Sequence, residues 1–308
     1  MIFRERRRFQ IAYFLMGGFQ LAVALPAARA FGKNVVMKFS GSNTIAPLTK
    51  SGLGWLELRF LRRWADRVLV LNPSMFDEAA AAGLASSQLE WMPNPVDTKH
   101  FTPLADADRG ELQRAHGYGP GTLIVLFVGR LAPEKELPSL IHAFSRMRRQ
   151  QADARLVLVG AGPMLGELQQ LAGSLGVSEA VRFTGAVAPE DVRQWMQLAD
   201  IFALVSSLEG LPCALIEAMS TGLPAVVSDI SANRQLISDR VHGLLAPYGD
   251  AEKIACALLR LASDAELRRA LGSAARGRII ESYSNEKVIA RYETLFDSLP
   301  DKSKAEAA

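Results

Sequence analysis

From Gly121 onward the chain alternates short apolar runs with amphipathic stretches. The runs LIVLFV (123–128), RLVLV (155–159), AVRF (180–183), DIFALV (200–205), PAVVS (224–228) and GLLA (243–246) predict six strands. Helical periodicity falls between them, over 137–150, 164–175, 189–198, 212–220 and 251–261. A strand every ~20–30 residues with a helix between describes repeated βαβ units and a doubly wound domain.

The first half is thinner. It predicts strands at 35–39, 67–71 and 89–92 and a helix over 54–64, about half of a comparable domain. The Pro/Asp-rich stretch 93–121 reads as linker plus surface helix. Residues 285–299 form a helical pattern with Val288, Tyr292 and Leu295 on one face, and 301–308 is a polar tail. The chain therefore divides into a partial first α/β domain (1–110), a complete second one (111–284), a terminal helix (285–300) and a tail (301–308).

The first thirty residues admit two readings. Arg4, Arg6, Arg7 and Arg8 precede an apolar run at 9–25, and Ala28-Arg29-Ala30 resembles a cleavage site, which together describe a secretory signal. Alternatively, 19–31 is an internal helix ending at a Gly32-Lys33 C-cap and leading into the strand NVVMKF. Gly17-Gly18 and Gln20 interrupt the run, which is too short to span a membrane.

Composition removes other classes. With 49% hydrophobic and 22% charged residues over 308 positions, the chain is a globular protein long enough for two cores. A net charge of +3 gives no basic stripe for nucleic acid. Cys213 and Cys256 make neither a disulfide framework nor a zinc spacing, and the four histidines are scattered singly. The letters Asp106-Ala107-Asp108 fit a metal-binding Asp-x-Asp but sit in the linker rather than after a strand.

Candidate chemistry gathers at the carboxyl ends of the second sheet's strands, where doubly wound folds bind ligands. After the first strand comes Gly129-Arg130-Leu131-Ala132-Pro133-Glu134-Lys135, two cations suited to a diphosphate. After the second comes Gly160-Ala161-Gly162-Pro163, either a ligand seat at a helix start or an ordinary tight turn, without the third glycine of a dinucleotide fingerprint. After the fourth comes Ser206-Ser207-Leu208-Glu209-Gly210-Leu211-Pro212, opening a helix that carries Glu217. A loop carboxylate, a helix N-terminus facing an anion and a helix carboxylate tilted back toward it would line one cleft. Two carboxylates beside a phosphate are tolerable only if they bind hydroxyls. That combination suits a sugar and a ribose joined through a diphosphate.

These residues resemble retaining glycosyltransferase family 4. The resemblance rests on Glu209-x7-Glu217 together with VGRLAPEK (128–135), VGAGP (159–163), PNPVDTKHF (93–101), FTGAV (183–187) and GLPAVVSD (222–229), in order. It implies the GT-B architecture, two Rossmann-like domains facing across a cleft, with no required metal or cofactor. It also implies a UDP- or GDP-sugar donor, a glycan or lipid-linked acceptor, and a cytoplasmic setting with peripheral membrane contact through Arg4–Arg8. By position, Arg130 and Lys135 would hold the diphosphate, Glu209 the sugar hydroxyls and Glu217 the ribose. Gly129, Gly210 and Leu211 would meet phosphate or sugar through their backbones, and Val187 would lie against the base. The last helix would cross back to the first domain.

The chain also departs from the family pattern. Ser40 stands where many relatives carry histidine, Glu136 where glycine is common, and Gln235 where glutamate is frequent. Relatives begin with a strand and glycine-rich loop that shape the acceptor side, and the first domain is short by that measure. Two other readings follow: an inactive or partner-dependent fragment that only binds nucleotide sugar, and an exported two-lobed solute-binding protein.

Overall fold

Two parallel sheets organise the chain in this computed structural model, which describes residues 8–15, 19–41 and 44–302. Arg4, Arg6 and Arg7 of the basic N-terminal cluster and positions 303–308 of the tail lie outside the described residues. The chain divides into two compact units, Met1–Asn94 with Val288–Ala308, and Pro95–Lys287.

The first unit holds β1 (Ile11–Phe14), α1 (Phe19–Ala30), β2 (Asn34–Lys38), α2 (Gly52–Trp64), β3 (Arg67–Val70), α3 (Pro73–Ala81) and β4 (Leu89–Trp91), with strand order β1-β2-β3-β4. The sequence reading found three of these strands. The fourth, β1, hides inside the apolar run at 9–25, where IAYF pairs in parallel with β2, Ile11 opposite Asn34 and Phe14 opposite Met37. The rest of that run is the internal helix. Leu21, Leu25 and Ala28 bury one stripe of α1, and Gly32 at φ +61° ends it, its N–H bonding to Arg29 O at 3.0 Å. Side-chain caps start the next two helices: Ser51 Oγ accepts from Gly54 N at 3.0 Å and Asn72 Oδ1 from Met75 N at 2.9 Å.

A last helix, α12 (Asn285–Asp297), begins in the second unit and returns to the first. Its Val288 and Leu295 join Val36, Leu69 and Met92 in one buried cluster. Tyr292, on the same face, shares a hydroxyl hydrogen bond of 3.1 Å with Tyr13 and accepts from Lys38 Nζ at 2.9 Å.

The second unit contains α4 (Asp106–Ala115), β5 (Ile124–Val128), α5 (Leu137–Arg148), β6 (Arg155–Val159), α6 (Leu165–Ser174), β7 (Val181–Gly185) and α7 (Pro189–Leu198). It continues with β8 (Ile201–Leu204), α8 (Cys213–Ser220), β9 (Ala225–Ser228), α9 (Ser231–Leu236), β10 (Leu244–Ala246), α10 (Ala251–Ser263) and α11 (Ala265–Ser282). All pairings are parallel, in the order β10-β9-β8-β5-β6-β7.

The stretch 95–110, read from sequence with the first domain, folds with this second unit. Arg109 meets Asp200 at 2.7 Å and Gln113 Nε2 donates to Leu198 O at 2.8 Å, fixing α4 to the end of α7. Asp106 and Asp108 occupy the first turn of α4, where carboxylates complement the helix dipole. Helix α11 lies where the sequence pattern above predicts no element. A Cβ at Gly272 would lie 2.0 Å from Gly222 O, so glycine permits α11 to press on the loop after α8.

Candidate active site

In the second sheet the chain leaves β5 toward β6 and β7 on one side, then returns to lay β8, β9 and β10 on the other. β5 and β8 are therefore neighbours whose following loops diverge, the switch point at which such sheets form a binding crevice. The loop after β5 carries Gly129, Arg130 and Lys135, and the loop after β8 carries Glu209, Gly210 and Leu211. Ser207 locks the two loops together, its N–H donating to Glu134 O at 2.9 Å and its hydroxyl to the same oxygen at 3.2 Å.

Lys135 and Glu209, separated by 74 positions in sequence, meet here. Lys135 Nζ lies 2.7 Å from Glu209 Oε1, with side chains only 18% and 11% exposed. An ion pair this far out of water needs further hydrogen bonds to offset desolvation. One comes from Ser206, whose buried hydroxyl donates to the same Oε1 at 2.7 Å. The two residues read as diphosphate and sugar ligands are thus each other's partners, with the carboxylate fixed before any ligand arrives. Arg130 is exposed, and no bond of its guanidinium to another described residue is found.

Helix α8 starts beside this pair with Pro212 at its N-cap, where no side chain caps it. Its first turn keeps the positive end of the helix dipole directed at the loop. Glu217, further along α8, is half-buried, and burial pushes its carboxyl up to about 7. Free of hydrogen bonds among the described residues, that carboxyl sits below its full charge at neutral pH. The folded state therefore holds a proton that the unfolded chain has released between pH ~4.5 and 7. Stability from this group is present below that window and is lost as pH rises through 7. Glu217→Gln should flatten this slope, sparing on the order of 2 kcal/mol of the stability that the parent chain loses between pH 5 and 8 in urea titrations. Parallel slopes for the two proteins would contradict the assignment.

The glycines of the β6 loop have a backbone explanation. A Cβ at Gly160 would lie 1.9 Å from Gly129 O, and one at Gly162 would lie 2.2 Å from Leu131 O. The loop lies flat against the β5 loop, held by Leu131 N to Ala161 O at 3.0 Å and Met164 N to Leu131 O at 3.1 Å. Of the two readings given to this pair, the tight turn has direct support: it braces the segment bearing Arg130 and Lys135. Gly129 N is already occupied by Val159 O at 2.9 Å, so that amide is not available to a ligand. Val187 is partly exposed in the loop between β7 and α7. Glu136, the departure noted from the family pattern, stands at φ +52°, a left-handed position that glycine adopts more readily.

Residues 108–278 match the model of the family described as Glycosyl transferases group 1. The chain belongs to that family. The GDP-mannose-dependent alpha-(1-6)-phosphatidylinositol monomannoside mannosyltransferase of Mycobacterium tuberculosis is 28% identical over 292 residues, 91% of this chain and 72% of that protein. Its namesake from Mycolicibacterium smegmatis is 30% identical over 85% of this chain and 70% of its own length. Among solved structures, Anabaena Alr3699/HepE in complex with UDP superposes with a TM-score of 0.87 at 20% identity, over 97% of this chain and 81% of that one. Sucrose-phosphate synthase from Thermosynechococcus elongatus follows at 0.76 and 20% identity, over 94% and 73%. The fold of this group 1 glycosyltransferase is accordingly GT-B, α/β with two Rossmann-like domains on parallel sheets. No helix among the described residues is long and apolar enough to cross a membrane.

Proposed function

We propose that this glycosyltransferase moves a sugar from a nucleotide-diphosphate sugar to an acceptor hydroxyl with retention of anomeric configuration. The observation that carries the reading is the Lys135–Glu209 pair at the β5/β8 switch point, 2.7 Å long and beside the uncapped start of α8. Lys135, Arg130 and the helix start supply positive charge where a diphosphate leaving group gains negative charge, the arrangement that stabilises such a transition state. Glu209 accepts from sugar hydroxyls. Glu217 accepts from the ribose, whose hydroxyls favour its ionised form and draw its proton away. In the transfer the bond from the anomeric carbon to the diphosphate breaks and the acceptor oxygen bonds to that carbon on the same face. The acceptor's proton passes to the departing diphosphate.

The reading draws support from relatives named as GDP-mannose-dependent mannosyltransferases and from a fold neighbour crystallised with UDP and with UDP-glucose. An acceptor on a lipid-linked glycan agrees with the phosphatidylinositol mannoside in those relatives' name. Calorimetry with the UDP, GDP and ADP forms of common sugars tests donor binding. At least one should bind, and Lys135→Ala should weaken it by ~1.5–3 kcal/mol, the range for a hydrogen bond to a charged group. Equal affinity in parent and variant would remove Lys135 from the diphosphate site.

A further inference from the structure

Behind Glu209 runs a chain of buried polar groups that no ligand role requires. Asn233, on α9, is fully buried, as are Ser228 at the end of β9 and Ser206 after β8. Asn233 Nδ2 donates to Ser228 O at 2.8 Å and to Ser228 Oγ at 3.1 Å. Ser228 Oγ donates to Ser206 O at 2.5 Å, and Ser206 Oγ donates to Glu209 Oε1 at 2.7 Å. Every step has one polarity. An amide N–H can only donate, so it orients the Ser228 hydroxyl toward a carbonyl. That carbonyl belongs to the residue whose own hydroxyl ends on the carboxylate.

We infer that Ser206, Ser228 and Asn233 are positioning residues that fix the Glu209 carboxylate for the transferred sugar, an inference that rests on the function proposed above. The chemistry has a reason. Lys135 reaches the same carboxylate oxygen, and a lysine ammonium is a flexible point charge with no preferred plane. The Ser206 hydroxyl, anchored in the sheet through Ser228 and Asn233, supplies a second fixed direction at Oε1.

The test compares a nucleotide sugar with its bare nucleoside diphosphate, measured by calorimetry on parent, Ser206→Ala and Ser228→Ala chains. Both variants should lose about tenfold in affinity for the nucleotide sugar while binding the bare diphosphate within about twofold of the parent. In turnover, the loss should fall on kcat more than on KM, because misorientation of the sugar is felt most in the transition state. A structural role alone would lower the unfolding midpoint and weaken both ligands together, and that pattern overturns the inference. Ser206→Thr, which keeps the hydroxyl, should recover most of the sugar-specific loss. If it matches Ser206→Ala in sugar affinity while staying folded, the inference also fails. A parent chain that binds diphosphate but no nucleotide sugar would defeat the proposed function itself and this inference with it. Normal sugar binding in both variants would defeat this inference alone.

Discussion

Glu209→Ala should reduce sugar transfer by on the order of 100- to 1000-fold and destabilise the second unit by ~2–4 kcal/mol. The two effects have different origins. Removing the carboxylate strands Lys135, whose side chain is 18% exposed, and leaves the Ser206 hydroxyl without its acceptor. A half-buried ammonium and a buried hydroxyl that both lose their acceptor account for the stability loss. Glu209→Gln separates the two. A neutral amide oxygen still accepts from Ser206 and from Lys135, so the unfolding free energy should fall by only ~1 kcal/mol. The amide accepts weakly from sugar hydroxyls and no longer balances Lys135, so transfer should stay nearly as low as in the alanine variant. Urea unfolding and initial rates with a radiolabelled nucleotide sugar measure each quantity. A glutamine variant that transfers sugar at the parent rate would show that the carboxylate serves only the ion pair.

Most of the second unit was legible because its strands lie inside a covered sheet and so are continuous apolar runs. LIVLFV became β5, with Ile124 to Phe127 fully buried, because nothing in that run has to face water. The edge strand β1 was lost for the opposite reason. IAYF is short, half-exposed and fused in sequence to the apolar start of α1, so periodicity could not divide them. Helix α11 lies outside the predicted elements, and its Gly272 is a close-packing residue whose partner Gly222 is fifty positions away in the chain.

The site shows the same limit. Glu209, Glu217, Arg130 and Lys135 could be named because charged groups after apolar strands stand out against the pattern. That Lys135 and Glu209 would meet each other depends on β5 and β8 being neighbours, which follows from the whole strand order rather than from either loop. Ser228, the last residue of the PAVVS strand, and Asn233 gave no signal of a role at the site, since neither residue type there marks a buried polar chain. Only the fold shows them buried and bonded to Ser206, whose own hydroxyl reaches Glu209.

Gly162→Ala should be among the most damaging single changes in the second unit, with a loss of ~3 kcal/mol, the upper end for overpacking, and near-complete loss of donor binding. Gly162 is not in the left-handed region, so the penalty is steric rather than torsional. Its added methyl would sit 2.2 Å from Leu131 O, 2.6 Å from Leu131 C and 2.7 Å from Leu131 N, all backbone atoms that no rotamer change can move aside. Relief requires the β6 loop to part from the β5 loop, breaking Leu131 N to Ala161 O and Met164 N to Leu131 O. The β5 loop that shifts is the one carrying Arg130 and Lys135, and displacing a charge-assisted contact by ~1 Å is enough to forfeit it. Gly277→Ala, in the interior of α11 with open space around the added carbon, is the internal control. It should stabilise the protein by ~0.5–1 kcal/mol, the helix preference for alanine over glycine. Thermal unfolding and calorimetry on the two variants decide the matter. A Gly162→Ala chain that melts with the parent and binds nucleotide sugar as tightly would mean that the two loops do not hold each other in the way their backbone contacts require.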